Sequence, residues 1–156
     1  VRTERAARTL VNPKHLEQAE KAGADQILLA TDEKLVEKVL ALTNGRGADI
    51  SFEAVGRSDS VNIAIDLLRK GGKAVLVGNI SATIDFPLQK VVTSELKVVG
   101  SCAIRGEYEI ILDLLESGKI CVDDQISAVV PLSEGAIWFE KLYKKEDGLN
   151  KVILVP

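Results

Sequence analysis

Methionine is absent from the chain, cysteine occurs twice and histidine once. Cys102 and Cys121 are isolated and show no Cys-x-x-Cys spacing, so we expect neither a disulfide nor a zinc cluster. His15 stands on a predicted helix without a second ligand at metal spacing, and we therefore expect no metal site on this chain.

The chain also lacks a basic excess and a long apolar run. Its net charge of -3 argues against nucleic acid or an anionic membrane as a partner. No apolar run approaches the ~20 residues of a membrane helix, and no N-terminal signal with a hydrophobic core is present. We therefore expect a cytoplasmic protein without a membrane partner, and 156 residues are enough to bury a core.

Two apolar runs of strand length lie at the centre of the sequence. Each ends in glycine, at Gly56 and at Gly78, and the residues between the runs, Ser58–Arg69, have helical spacing. The runs are too continuously apolar for strands with one wet face, so we predict a parallel sheet buried between helices. Ligands of such sheets bind beyond the carboxyl ends of the strands, where glycine permits a close approach. The apolar residues are Ile50, Phe52, Val55, Val75, Leu76 and Val77.

Strands and helices alternate through the rest of the chain. This order predicts an α/β fold with a doubly wound, mostly parallel Rossmann-like sheet. The other predicted strands are Thr9–Val11, Asp25–Ala30, Leu96–Ala103, Ile126–Val130 and Val152–Val155. The other predicted helices begin at Asn12–Pro13, at Thr31 or Asp32, at Leu88, at Tyr108 and at Ser133.

Several short motifs follow one another in a fixed order. They are Gly45–Asp49, Glu53–Gly56, Gly71–Lys73, Leu76–Gly78, Glu95–Ser101, Leu114–Ile120, Val130–Leu132 and Lys151–Pro156. On these residues the chain resembles the nucleotide-binding half of medium-chain, zinc-type alcohol dehydrogenases. The resemblance implies that residues 1–119 form a partial dinucleotide-binding (Rossmann) domain. Residues 120–156 would be a C-terminal segment that returns to the catalytic domain.

One part of the implied domain has no counterpart in the sequence. The family's domain begins with a strand and a Gly-x-Gly-x-x-Gly turn, which holds the pyrophosphate, and nothing before Leu10 supplies them. We therefore expect a sheet lacking its first strand, in a fragment truncated before this turn. The missing strand is central in the family's order, so its loss leaves unpaired backbone on both neighbours. The chain could pair the strands around Leu10 and Ile50, exchange segments with a second copy, or use residues 1–11 differently.

The resemblance places the cofactor side of the site at the strand ends. It implies that small side chains and backbone there line NAD or NADP, and that Lys151 faces a phosphate. Structural roles stay open for all of them, including a helix cap at Asn12. The predicted cofactor-binding residues are Asn12, Val55, Gly56, Val77, Gly78, Asn79, Ser101, Cys102 and Lys151. We predict no catalytic residue, because Glu53 is a lone carboxylate and Ser58 has no accompanying base.

The implied parent enzyme transfers a hydride between an alcohol or aldehyde and nicotinamide. Its zinc belongs to a catalytic domain missing here, so we expect the chain alone to be inactive. Residues 5–30 also resemble potassium-transport regulatory domains, which leaves a nucleotide-sensing module as an alternative; a structural remnant that only associates is a third. The resemblance finally implies a homodimer through the edge strand Leu96–Ala103, whose apolar, proline-free edge favours pairing.

Overall fold

The computed structural model describes residues 7–10, 19–144, 146 and 149–156. Asn12 and His15 lie outside these residues, as does the predicted start of the first helix. In chain order the elements are β1 (Ala7–Leu10), β2 (Gln26–Leu29), α1 (Leu35–Leu42), β3 (Ala48–Glu53), α2 (Ser58–Asp66), β4 (Leu68–Leu76), α3 (Leu88–Thr93), β5 (Lys97–Gly100), α4 (Tyr108–Glu116), β6 (Ile126–Pro131), α5 (Gly135–Tyr143) and β7 (Lys151–Val155).

The strands of the described residues form three small sheets. Strand β1 pairs with β2, β3–β4–β5 form a parallel sheet, and β6 pairs with β7 in parallel. The predicted α/β class with mostly parallel strands is therefore confirmed. Among the described strands β1 and β3 belong to different sheets, so pairing of the strands around Leu10 and Ile50, one of the three arrangements left open by the sequence, is not observed.

The chain divides into two compact units, residues 28–105 and residues 1–27 with 106–156. The core of the first unit is built where α2 lies on β4. Val61 and Ile65 are one helical turn apart and contact Leu68 and Ala74; Ile65 and Ala74 are fully buried. Leu76 and Val98 complete this layer, so one face of the β3–β4–β5 sheet is covered.

The other face of this sheet corrects a prediction. Phe52 is 74% exposed and Ile50 is 50% exposed, whereas both were predicted to be buried between helices. Side chains alternate along a strand, so Ser51 and Glu53 lie on the face of Ala74, and Ile50 and Phe52 lie on the opposite face. The continuous apolar run had predicted a sheet buried on both faces. In this unit only one face of β3 is covered.

Strand β4 begins earlier than predicted and contains a bulge. It starts at Leu68, within the stretch predicted to be helical, and the register changes from Ala48–Leu68 to Ile50–Lys73. The extra residues bend outwards at Gly71, which adopts a φ of +72° and donates its N–H to the Ser94 carbonyl at 2.8 Å. The bulge thus links β4 to the turn before β5.

The second unit contains α4, α5 and the β6–β7 pair. Helix α4 ends at Glu116, and Gly118 follows its C-cap with a φ of +68°. In α5 the Trp138 indole N–H donates to Glu134 at 3.1 Å, and the Lys141 ammonium lies 4.1 Å from the ring centroid. None of the helices in the described part of the chain combines the length and the apolar character of a membrane span.

Candidate functional site

Two loops meet where β3 and β4 end side by side. Glu53 pairs with Leu76 in the parallel register, and the chain leaves the sheet through the first strand-end loop (residues 54–57) and the second strand-end loop (residues 77–81). The Val77 and Gly78 N–H groups donate to the Glu53 carbonyl at 2.8 and 3.1 Å. Ser81 N–H donates to the Gly56 carbonyl at 3.0 Å, so backbone hydrogen bonds join the loops along their length.

Gly56 and Gly78 lie at the closest approach of these two loops. A Cβ on Gly78 would lie 2.2 Å from the Val55 carbonyl carbon, and a Cβ on Gly56 would lie 2.3 Å from the Asn79 nitrogen. Gly56 also adopts a φ of +83°, which L side chains disfavour. Both positions therefore require glycine for the contact between the loops, whereas the sequence had suggested the approach of a ligand.

The Glu53 side chain holds the first strand-end loop from within. Glu53 is 4% exposed, and its carboxylate accepts the Val55 N–H at 2.8 Å and the Gly56 N–H at 2.9 Å. From the sequence, Glu53 was interpreted as the first residue of the Glu53–Gly56 motif and as a lone carboxylate without a catalytic partner. The available signal was its position, because an acid that ends an apolar strand just before a glycine turn has backbone N–H groups within reach.

The outer surface of the loops combines apolar and polar groups. Val55 is 42% exposed, Val77 is 48% exposed and Asn79 is also exposed, so small apolar side chains lie beside a side-chain amide. A shallow depression beside them is lined by Arg57, Ser58, Asp59, Ile80 and Ser81. Such a surface can contact a flat heteroaromatic ring and hydrogen-bond its polar substituents.

Helix α2 begins at this depression. The Ser60 backbone N–H donates to Asp59 at 3.0 Å and lowers the pKa of the Asp59 carboxyl, and the Arg57 guanidinium lowers it further. Ser58 Oγ accepts the N–H of Asp85 at 3.0 Å and so ties the loop after β4 to the helix start. Asp59 and Ser58 therefore both have structural partners at the start of α2.

The structure brings most of the predicted cofactor residues together, but not all of them. Ser101 joins the same edge of the sheet, since its N–H donates to the Leu76 carbonyl at 2.9 Å, and the exposed Cys102 follows it. Lys151 is the exposed first residue of β7 and belongs to the other compact unit. Asn12 lies outside the described residues, so its ribose contact stays a prediction.

The described residues do not fit a zinc site. They contain no group of three or more histidine, cysteine or acidic side chains that could hold a metal ion. Both cysteines are exposed. The Cys121 sulfur lies 3.8 Å from a carboxylate oxygen of Asp123.

A parallel α/β sheet with interlocked loops at its carboxyl edge is the class of structure in which ligands bind beside strand ends. The family model described as zinc-binding dehydrogenase matches residues 7–117. The chain therefore belongs to the zinc-binding dehydrogenases, the medium-chain, zinc-type alcohol dehydrogenase family, and corresponds to their nucleotide-binding half.

Curated relatives agree with this assignment. Sorbitol dehydrogenase of Bombyx mori is 33% identical over 76% of this chain and 35% of its own length. Probable D-xylulose reductase A of Arthroderma otae is 31% identical over 92% of this chain and 41% of its own length. The chain thus spans less than half the length of these relatives.

Solved structures show the same relation. Alcohol dehydrogenase TADH from Thermus sp. ATN1 has a TM-score of 0.88 and 29% identity, with 97% of this chain and 44% of that chain covered. The alcohol dehydrogenase of Aeropyrum pernix has a TM-score of 0.80 and 28% identity, with 96% and 42% covered.

Proposed function

We propose that the chain is the cofactor-binding portion of an NAD(P)-dependent, zinc-type dehydrogenase. The observation that carries the proposal is the pair of interlocked strand-end loops, which present Val55, Val77 and Asn79 at the carboxyl edge of a parallel sheet. This edge is where the nicotinamide half of a dinucleotide binds in α/β sheets of this type. Ser101 and Cys102 extend the same edge.

The substrate of the whole enzyme is proposed to be an alcohol or polyol and its carbonyl product. Relatives whose names include sorbitol dehydrogenase, D-xylulose reductase and D-arabitol-phosphate dehydrogenase support this class. The chain would orient the cofactor for hydride transfer, while the zinc and the substrate would be held by a catalytic domain outside the matched segment. Residues 120–156 would lead back to that domain.

The chain alone should bind NAD weakly. Its sequence contains no Gly-x-Gly-x-x-Gly turn, so the backbone donors that hold a pyrophosphate at a helix N-terminus are absent from it. We expect a calorimetric titration to show millimolar affinity or weaker and no oxidation of alcohols. Micromolar affinity for the chain alone would contradict the need for that turn.

A hybrid protein tests the proposal directly. In it, the chain follows the part of the Bombyx mori sorbitol dehydrogenase that precedes the matched segment, which should supply the missing turn. We expect the hybrid to bind NAD or NADP at least about tenfold more tightly than the chain alone does. A tenfold change corresponds to roughly 1.4 kcal/mol of binding free energy. The control is a hybrid whose turn glycines are replaced by valine.

The hybrid also separates the competing hypotheses. A nucleotide-sensing module would bind nucleotide equally well with and without the added part, and a structural remnant would bind in neither form. Either result with a folded hybrid would overturn the enzyme proposal.

A further inference from the structure

Glu53 is the buried charged side chain in the described part of the chain, with 4% of its surface exposed. Transfer of a carboxylate out of water is very unfavourable unless hydrogen bonds or an opposite charge replace the water. No basic side chain pairs with Glu53 among the residues that the structure describes. Backbone N–H groups therefore provide its compensation.

These N–H groups belong to the first strand-end loop. Glu53 Oε1 accepts the N–H of Val55 at 2.8 Å and of Gly56 at 2.9 Å, and Oε2 lies 3.0 Å from the same Gly56 nitrogen. Hydrogen bonds to an ionised acceptor are roughly twice as strong as those between neutral groups. The carboxylate thus fixes the left-handed turn that Gly56 makes.

The main chain of the same residue fixes the second strand-end loop. The Glu53 carbonyl accepts the N–H groups of Val77 and Gly78. Because Gly78 lies against Val55, a change in the first strand-end loop displaces the surface that the second one presents. Glu53 thus contacts both loops directly, the first through its carboxylate and the second through its carbonyl.

We propose that Glu53 is a positioning residue of this site. Its buried carboxylate would hold the first strand-end loop, and through the contact of Gly78 with Val55 also the second, in the geometry that receives the nicotinamide half of the cofactor. The role of the site rests on the proposed function, whereas the effect on the loops does not. Glu53 itself would not touch the cofactor, since its side chain faces inward.

The test compares Glu53→Ala, Glu53→Gln and the control Glu37→Gln, which changes an exposed glutamate of α1 in the same unit. Glu53→Ala leaves the N–H groups of Val55 and Gly56 without an acceptor, so their hydrogen exchange should accelerate roughly ten- to hundredfold. Glu53→Gln keeps a neutral acceptor oxygen and should restore most of the protection. Exchange in the core strand at Ala74 should stay unchanged in all three variants.

The same samples are then titrated with NAD while the amide resonances are followed. In the wild-type chain and in Glu37→Gln, we expect weak shifts at Val55, Gly56 and Asn79. In Glu53→Ala the apparent affinity should fall about tenfold or more, and Glu53→Gln should lie close to the wild type.

The outcomes separate the two proposals. Unchanged exchange at Val55 and Gly56 in Glu53→Ala, or an acceleration that is equal throughout residues 28–105, overturns the positioning role. Accelerated loop exchange with an unchanged NAD affinity overturns it as well. An absence of NAD shifts in the wild-type chain and also in the hybrid protein would overturn the cofactor function, and the exchange data would then decide alone whether Glu53 holds the loops.

Discussion

Where the two strand-end loops cross, even a single added methyl group is too large for Gly56 and Gly78. The space beside Gly56 and Gly78 is occupied by backbone, which cannot move aside as the end of a flexible side chain can. A methyl group there must therefore displace one loop from the other. Gly100, at the end of β5, has no positive φ, and no heavy atom would lie within 4 Å of a Cβ added to it, so it serves as a comparison.

We predict that Gly56→Ala and Gly78→Ala each lower the free energy of unfolding by about 2 kcal/mol or more, because of overpacking and, at Gly56, backbone strain. Gly100→Ala should change it by less than about 0.5 kcal/mol. Urea denaturation followed by circular dichroism measures all three. Equal stabilities for the three variants would show that the loops separate at little cost.

At the scale of elements, the two faces of β3 differ sharply in exposure. Ile65 of α2 fills the covered side, and Phe52 of β3 extends from the uncovered side. Truncation at Ile65 should create a cavity and lower the free energy of unfolding by about 2–5 kcal/mol. Truncation at Phe52 removes a mostly solvated ring.

Phe52→Ala should therefore cost less than about 1 kcal/mol, measured by the same denaturation as Ile65→Ala. The comparison uses two large apolar residues of one unit whose burial is opposite. A cost at Phe52 as large as that at Ile65 would indicate that the ring is covered in solution.

This contrast shows how far the sequence alone could lead. Alternation of apolar runs and helical spacing predicted the strands and the parallel class, because hydrogen bonding and periodicity act locally. The burial of Phe52 was predicted wrongly, since it depends on which elements cover a sheet, and apolar composition does not report that. The mutual contact of Gly56 and Gly78 likewise arises only when two distant strand ends meet. The hydrogen bonds from Val55 and Gly56 to the Glu53 carboxylate are local, and the position of Glu53 before the glycine turn was a signal for them.

At the scale of the whole molecule, association through β5 is the open prediction. This strand ends the order β3–β4–β5, so its outer edge has no partner among the described strands. Ser101 donates its N–H to Leu76 of β4, and N–H groups alternate in direction along a strand. The N–H of Gly100 therefore points to the outer edge.

We predict a dimer at micromolar concentration, formed by pairing of this edge with a second copy, because unprotected edges favour strand pairing. Gly100→Pro should give a monomer, since proline removes the outward donor without removing the hydrogen bond to β4. Gly100→Ala is the matched control and should remain dimeric. Sedimentation velocity decides it, and a monomeric wild-type chain would refute edge pairing.

The distribution of aromatic residues has an optical consequence. Trp138, Tyr108 and Tyr143 are the tryptophan and tyrosines of the sequence, and all three lie within residues 106–156. Intrinsic fluorescence therefore reports on the unit that contains residues 106–156, whereas circular dichroism measures the helices of both units. Since position 52 already tolerates an exposed aromatic ring, a Phe52→Trp variant in a Trp138→Phe background would make the unit with the strand-end loops visible to the same fluorimeter.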